Sequence, residues 1–265
     1  MEFDDPAGML RVCIERLGEQ VGREFAALAR PGFRLLRPTN DAPATGRSRL
    51  GGLALLEPGT PWPELDGVPL SLHAVLDTDA LADRLGEQLP TRPGLLNFFY
   101  LDPELPYEEY AKLDASRPEA CRVIPADAAR AIETGAPEPA RSYPATPVHA
   151  AGSTMLPDCW DVVDDDVTFD AEEHWGAASL ILTELGDFDG NTAGDHCAFG
   201  WPDTSYTLAV TRRDEDGPAI HLLQLAEDVA LDWGWGDAGT IYFTIPVRAF
   251  AAGDFGRAEA RVQCC

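Results

Sequence analysis

Apolar residues near the start of the chain recur three and four positions apart, at Leu10, Ile14, Leu17, Val21, Phe25 and Leu28. That spacing predicts an amphipathic helix over 6–30, ended by Pro31-Gly32. The pattern then changes to short apolar runs between turn formers. Residues 50–56 and 69–76 read as strands, separated by Pro61-Trp62-Pro63 and by Asp66-Gly67. Residues 78–89 predict a short helix capped by Thr78 or Asp79, and 94–101 a buried strand. Further along, the pattern predicts a strand over 120–124, a helix over 125–134 and an extended segment over 148–156. A helix over 172–186 would carry Trp175, Ala178, Ile181, Leu182 and Leu185 on one side. A last strand is expected over 258–263.

The second half of the chain repeats the order of the first. Gly51-Gly52 and Trp62-Pro63 precede Asp66-Gly67, the run 69–76 and Gly94-Leu95-Leu96-Asn97-Phe98-Phe99. Gly200-Trp201-Pro202 precede Asp216-Gly217, the run 219–226 and Gly239-Thr240-Ile241-Tyr242-Phe243. The expectation is a single α+β domain spanning 1–265, with two pseudo-repeated, mostly antiparallel β-units over about 48–101 and 196–248 and peripheral helices.

Composition narrows the function classes. The chain has 265 residues, 45% of them hydrophobic, enough for a sizeable core. Its apolar runs are too short to span a bilayer, and its first residues, Met1-Glu2-Phe3-Asp4-Asp5, lack the basic-then-apolar form of a secretory signal. A cytoplasmic location is expected. Forty-five acidic residues against 20 basic ones give a formal net charge of −25, which opposes binding to nucleic acid and to anionic membranes. Such a surface serves solubility or attracts a basic protein partner. Lys112 is the only lysine, a usage that suggests a GC-rich bacterial genome and leaves little room for lysine chemistry. Six scattered cysteines form no Cys-x-x-Cys pair, so zinc-ribbon and thioredoxin-like readings fail.

Several of these motifs occur together in a known family. Gly51-Gly52 with Pro61-Trp62-Pro63, the strand 69–77, Gly94-Leu95-Leu96-Asn97-Phe98-Phe99, His196-Cys197-Ala198-Phe199-Gly200, Leu222-Leu223-Gln224-Leu225 and Trp235-Gly236-Asp237-Ala238-Gly239 resemble the YwqG-like family. This is a bacterial family whose domain has no assigned function. The resemblance covers about 48–248 and implies an α+β domain with mostly antiparallel sheets and no established substrate. The family pattern carries a Gln in the first unit's strand, where this chain has Val75, so Gln224 stands alone.

No stretch of the chain carries a recognisable catalytic motif. Walker A, Gly-x-Gly-x-x-Gly after a strand and Gly-x-Ser-x-Gly are all missing, and His174 has Ala178 where a zincin would place its second histidine. His196 and Cys197 are neighbours on a strand and point to opposite faces, so a Cys197 nucleophile would need His174 or His221 as its base; a buried structural cysteine is the simpler reading. Asp187-Phe188-Asp189-Gly190-Asn191 starts like a calcium loop but fails at Thr192 and Ala198, so no metal and no cofactor are expected. The segment 158–173 holds eight acids and no base, bracketed by Trp160 and Trp175, and reads as solvated surface or as a protein contact. A ligand site, if present, is expected at the seam of the two units, with His196, Gln224 and Asp237 as polar groups and Trp62, Trp201 and Trp235 as aromatic walls. The function expected is non-enzymatic binding or interaction, of an immunity or regulatory type, capping a basic protein partner. The alternative is an enzyme or small-ligand binder working in the cleft between the units.

Overall fold

A computed structural model describes residues 6–86, 89, 92–102, 112–157, 167, 172–186, 196–202, 218–237 and 239–264. The strands are β1 (Arg30–Leu36), β2 (Arg49–Leu50), β3 (Ala54–Leu56), β4 (Glu64–Leu65), β5 (Val68–Pro69), β6 (Ser71–Asp77), β7 (Leu95–Tyr100) and β8 (Cys121–Ala126). They continue as β9 (Ile132–Thr134), β10 (Thr146–Pro147), β11 (His149–Met155), β12 (Cys197–Phe199), β13 (Ala219–Ala226), β14 (Thr240–Pro246) and β15 (Glu259–Gln263). The helices are α1 (Pro6–Leu17), α2 (Glu19–Ala26), α3 (Thr78–Leu85), α4 (Glu172–Gly186) and α5 (Val247–Ala252). The fold is α+β. Six strands in the order β11-β1-β12-β13-β14-β15 form sheet I, and five in the order β10-β2-β6-β7-β8 form sheet II. Every pairing within both is antiparallel.

The central hairpins of the two sheets share their register. In sheet I, Leu223 faces Phe243, Gln224 faces Tyr242 and Leu225 faces Ile241, with a bulge between His221 and Leu223. In sheet II, Ala74 faces Phe98, Val75 faces Asn97 and Leu76 faces Leu96, with a bulge between Leu72 and Ala74. On one flank Cys197 faces Gln224, as Arg49 faces Val75. On the other, Ala260 faces Phe243, as Val123 faces Phe98. Short 3-10 turns, Pro118–Ala120 and Phe255–Arg257, lead into β8 and β15. β2 runs into two left-handed residues, Gly51 and Gly52 (φ 60° and 83°), and β12 ends with Phe199 followed by Gly200 (57° and 63°). Each short strand is preceded by a side chain that accepts a backbone N–H from the hairpin. Asp77 N donates to Ser48 Oγ (3.0 Å), and Ala226 N donates to His196 Nδ1 (3.2 Å).

One continuous apolar core lies between the sheets, and Phe98 meets Phe243 edge to face across it at 5.3 Å. A smaller core, built from Met9, Val12, Cys13, Leu17 and Phe25 of α1 and α2 with Ala178 and Ile181 of α4, lies apart from it.

Several expectations need correction. The helix over 6–30 is two helices, broken at Gly18, whose φ of 82° no helical residue adopts. Pro31-Gly32 does not stop a helix but lies inside β1. The strand over 50–56 divides at Gly51-Gly52 into β2 and β3, which join different sheets. Asp77, not Thr78 or Asp79, caps α3 through Ala80 N. The helix over 125–134 is the end of β8, a turn held by Asp127 Oδ1 on Ala129 N, and β9. Trp160 and Asp216-Gly217, nearly all of the acidic segment 158–173 and residues 187–195 of the calcium-like loop fall outside the described residues.

Candidate functional site

The loop after β13 turns back through Asp228, whose Oδ1 accepts from Ala230 N (2.8 Å) and Leu231 N (3.3 Å). This turn sets Trp233 and Trp235 against β6, where His73 sits at the bulge. The His73 ring lies 5.5 Å from Trp233, 5.0 Å from Trp235 and 5.2 Å from Tyr143. Trp235 Nε1 donates to Ala226 O (3.3 Å), and Tyr143 donates its hydroxyl hydrogen to buried Asp102 at 2.6 Å. His73 is fully buried, and neither ring nitrogen makes a hydrogen bond of ordinary geometry among the described residues. Burial pushes its pKa down to about 4, against the opposing pull of the Asp102 charge and the Tyr100 backbone. Outside this cluster Arg141 lies over the Tyr143 ring and pairs with Asp232.

His196 reaches the same cluster from sheet I, its ring 5.9 Å from Trp233. Its Nδ1 accepts from Ala226 N, and its Nε2 lies 3.5 Å from Asp228 Oδ2, an oxygen that Arg37 also approaches at 3.7 Å. Burial lowers the His196 pKa, and the Asp228 carboxylate opposes that shift. Gln224 is buried at the centre of β13. Asp237 is exposed in the turn after Trp235. Trp62 is half-buried on sheet II, its Nε1 on Leu70 O and its ring edge-on to Phe99. Trp201 donates to Leu28 O and carries the Arg30 guanidinium 3.6 Å over its ring, so it fastens the N-terminal helices to sheet I. Of the six site residues expected from sequence, the ring contacts join His196 and Trp235 through Trp233. Asp237, Trp62 and Trp201 stand apart from that junction. His73, Asp102, Tyr143 and Asp228 were not among the six. The one available signal was His73, a polar residue set among Leu72, Ala74, Val75 and Leu76 in the interior of its strand.

Tyr143 also lines a surface concavity of about 370 Å³, together with Arg49, Gly52, Leu53, Glu133, Ser142 and Ala145. Its lining comes from β2, β9 and the connection into β10, all on the sheet II side. The Arg49 guanidinium bonds Leu53 O through Nη2, while its Nε is sealed from solvent without a partner among the described residues.

Burial raises the Cys13 thiol to about 11 and pushes that of Cys121 higher still. His221, with Nδ1 3.0 Å from Phe199 O, is held near 4 by the same cause. Among the described residues no three His, Cys, Asp or Glu side chains gather to hold a metal, and no helix is long and apolar enough to cross a membrane.

Two antiparallel sheets over a shared core, with a buried histidine–aromatic junction and a small concavity, define the class of α+β protein to which this chain belongs. Residues 48–264 match Domain of unknown function (DUF1963), and the chain is a member of that family. Among curated proteins, none matches the chain.

Proposed function

We propose that the protein is a cytoplasmic binding protein that acts by contact, taking a basic protein surface against its acidic exterior. The observation that carries this reading is the uncharged state of its buried reactive groups. A histidine with a pKa of about 4 is a weak base at neutral pH, and a thiol raised by burial yields little thiolate. What remains chemically prominent is the imbalance of 45 acidic to 20 basic residues, which accelerates encounter with a basic partner.

The reading includes an origin for the frame. The two sheets are copies of one β-unit, supported by the matched registers, bulges and 3-10 turns and by Phe98 meeting its positional counterpart Phe243. The narrower YwqG-like placement belongs to the same reading and rests on the motifs between Gly51 and Gly239.

The test is affinity capture from a native cytosolic extract, beside an unrelated protein of similar net charge. A basic protein should be retained by this chain alone at about 0.15 M salt and released near 1 M, where the Debye length falls from about 8 to about 3 Å. Retention of the same set by both proteins sinks the proposal. A second reading, a small-ligand binder, is favoured by a separate observation: Arg49 and Glu133 line one concavity and do not pair.

A further inference from the structure

The concavity beside Tyr143 carries two opposite charges that leave each other unsatisfied. Arg49, half-buried, spends one Nη2 hydrogen on Leu53 O and makes no other hydrogen bond or ion pair among the described residues. Its Nε is sealed beneath the surface without a partner among the described residues. Glu133 is exposed on the same rim and likewise makes no ion pair or hydrogen bond there. The two charges still sense each other, since Glu133 opposes the effect of burial on Arg49. They line a common space and make no ion pair across it. Around them part of the wall is apolar: Leu53, partly exposed, forms one side and the buried Tyr143 ring another. The volume, about 370 Å³, falls at the small end of the range of roughly 300–1,000 Å³ typical of ligand sites.

This arrangement selects by charge. A simple anion drawn to Arg49 would meet the Glu133 carboxylate, and a simple cation drawn to Glu133 would meet the guanidinium. A molecule bearing both charges satisfies both groups at once. We infer that the concavity binds a small zwitterion of the α-amino-acid type, its carboxylate accepting from Arg49, its ammonium donating to Glu133, and an apolar side chain resting on Leu53 and Tyr143. The same chemistry is offered by a free amino acid and by a short apolar peptide. Sheet I carries Cys197 at the position matched to Arg49, so this chemistry belongs to one sheet. The inference rests on the small-ligand reading and is independent of the basic-partner reading.

Titration calorimetry of the full chain tests it with four probes: leucine, leucyl-leucine, N-acetylleucine and leucinamide. Leucine or leucyl-leucine should bind, and whichever binds more tightly identifies the source. The two blocked compounds each lose one charge-assisted contact and should bind at least about tenfold more weakly. Glu133→Gln, a change at an exposed position, should weaken leucine about tenfold while leaving the thermal midpoint in place, and Arg49→Lys should weaken it without abolishing it. Equal binding of leucine and N-acetylleucine would overturn the zwitterion and leave a carboxylate site. Leucine binding that ignores both substitutions would also overturn it. Absence of heat with all four probes at millimolar concentration would overturn the small-ligand reading itself.

Discussion

The β12-β13-β14-β15 part of sheet I and the β2-β6-β7-β8 part of sheet II are paired in like order and carry different side chains at corresponding positions. Where sheet II ties its short strand with Ser48, sheet I uses His196; where sheet II has Asn97, sheet I has Tyr242. Asn97 is fully buried and satisfies three backbone groups: its Oδ1 accepts from Leu55 N (2.8 Å), and its amide donates to Leu55 O (2.8 Å) and Ile124 O (3.1 Å). It clamps β3 onto the sheet. The backbone frame is thus indifferent to which polar group closes each gap, provided that the gap is closed. Buried N–H and C=O groups cost free energy when unpaired, and the chemical identity of their partner matters less.

Each sheet also holds a buried neutral histidine at its hairpin bulge, His73 in sheet II and His221 in sheet I, and acid should expose both. Their folded pKa values, about 4, lie below the ordinary value of 6.5. Between these limits the unfolded chain binds more protons, so stability falls as pH drops from 6.5 and the loss levels off below 4. The loss should reach about 3 kcal/mol per histidine. Urea midpoints between pH 7.5 and 4 measure it, and His73→Leu should flatten the slope by about half. An unchanged slope would mean that His73 is not held neutral.

Asn97→Leu comes next, with an expected cost of about 3 to 5 kcal/mol from the unpaired Leu55 groups. A cost under about 1 kcal/mol would show that β3 rearranges without its clamp. Ser48→Ala and His196→Leu should each cost about 1 to 2 kcal/mol, since each leaves one buried N–H without an acceptor. Comparable losses in denaturant titrations would sharpen the equivalence of the two sheets, whereas a loss confined to His196 would break it. Asp237→Ala should leave the midpoint unchanged, because its side chain is exposed.

The hairpins were legible in the sequence because alternation, Asp-Gly turns and glycine punctuation act within a few residues. The repeated order of those signals anticipated strands at 71–77, 95–100, 219–226 and 240–246. β1 was not legible, because Pro31-Gly32 has the local signature of a helix stop. Gly32 is there for a distant reason: a Cβ on it would lie 2.9 Å from Met155 Sδ and 3.0 Å from Phe199 O. The helix over 125–134 failed similarly, since Pro125 faces Leu96 in a ladder that no local pattern encodes. At the junction, Trp235 and His196 were visible as residues of interest. Asp102 and Tyr143 sit in connections whose local sequence says nothing of the partner they find 41 positions away.

The separation of the two hydrophobic clusters sets how the molecule breathes. β7 and β14 share one core through Phe98 and Phe243, so opening either sheet would expose the other, and their amides should exchange with solvent together. The helices α1, α2 and α4 bury a small core of their own and are held to sheet I by contacts such as Trp201 on Leu28 O. With so small a core, they should open more easily than the sheets, and their amides should exchange with solvent while both sheets stay closed.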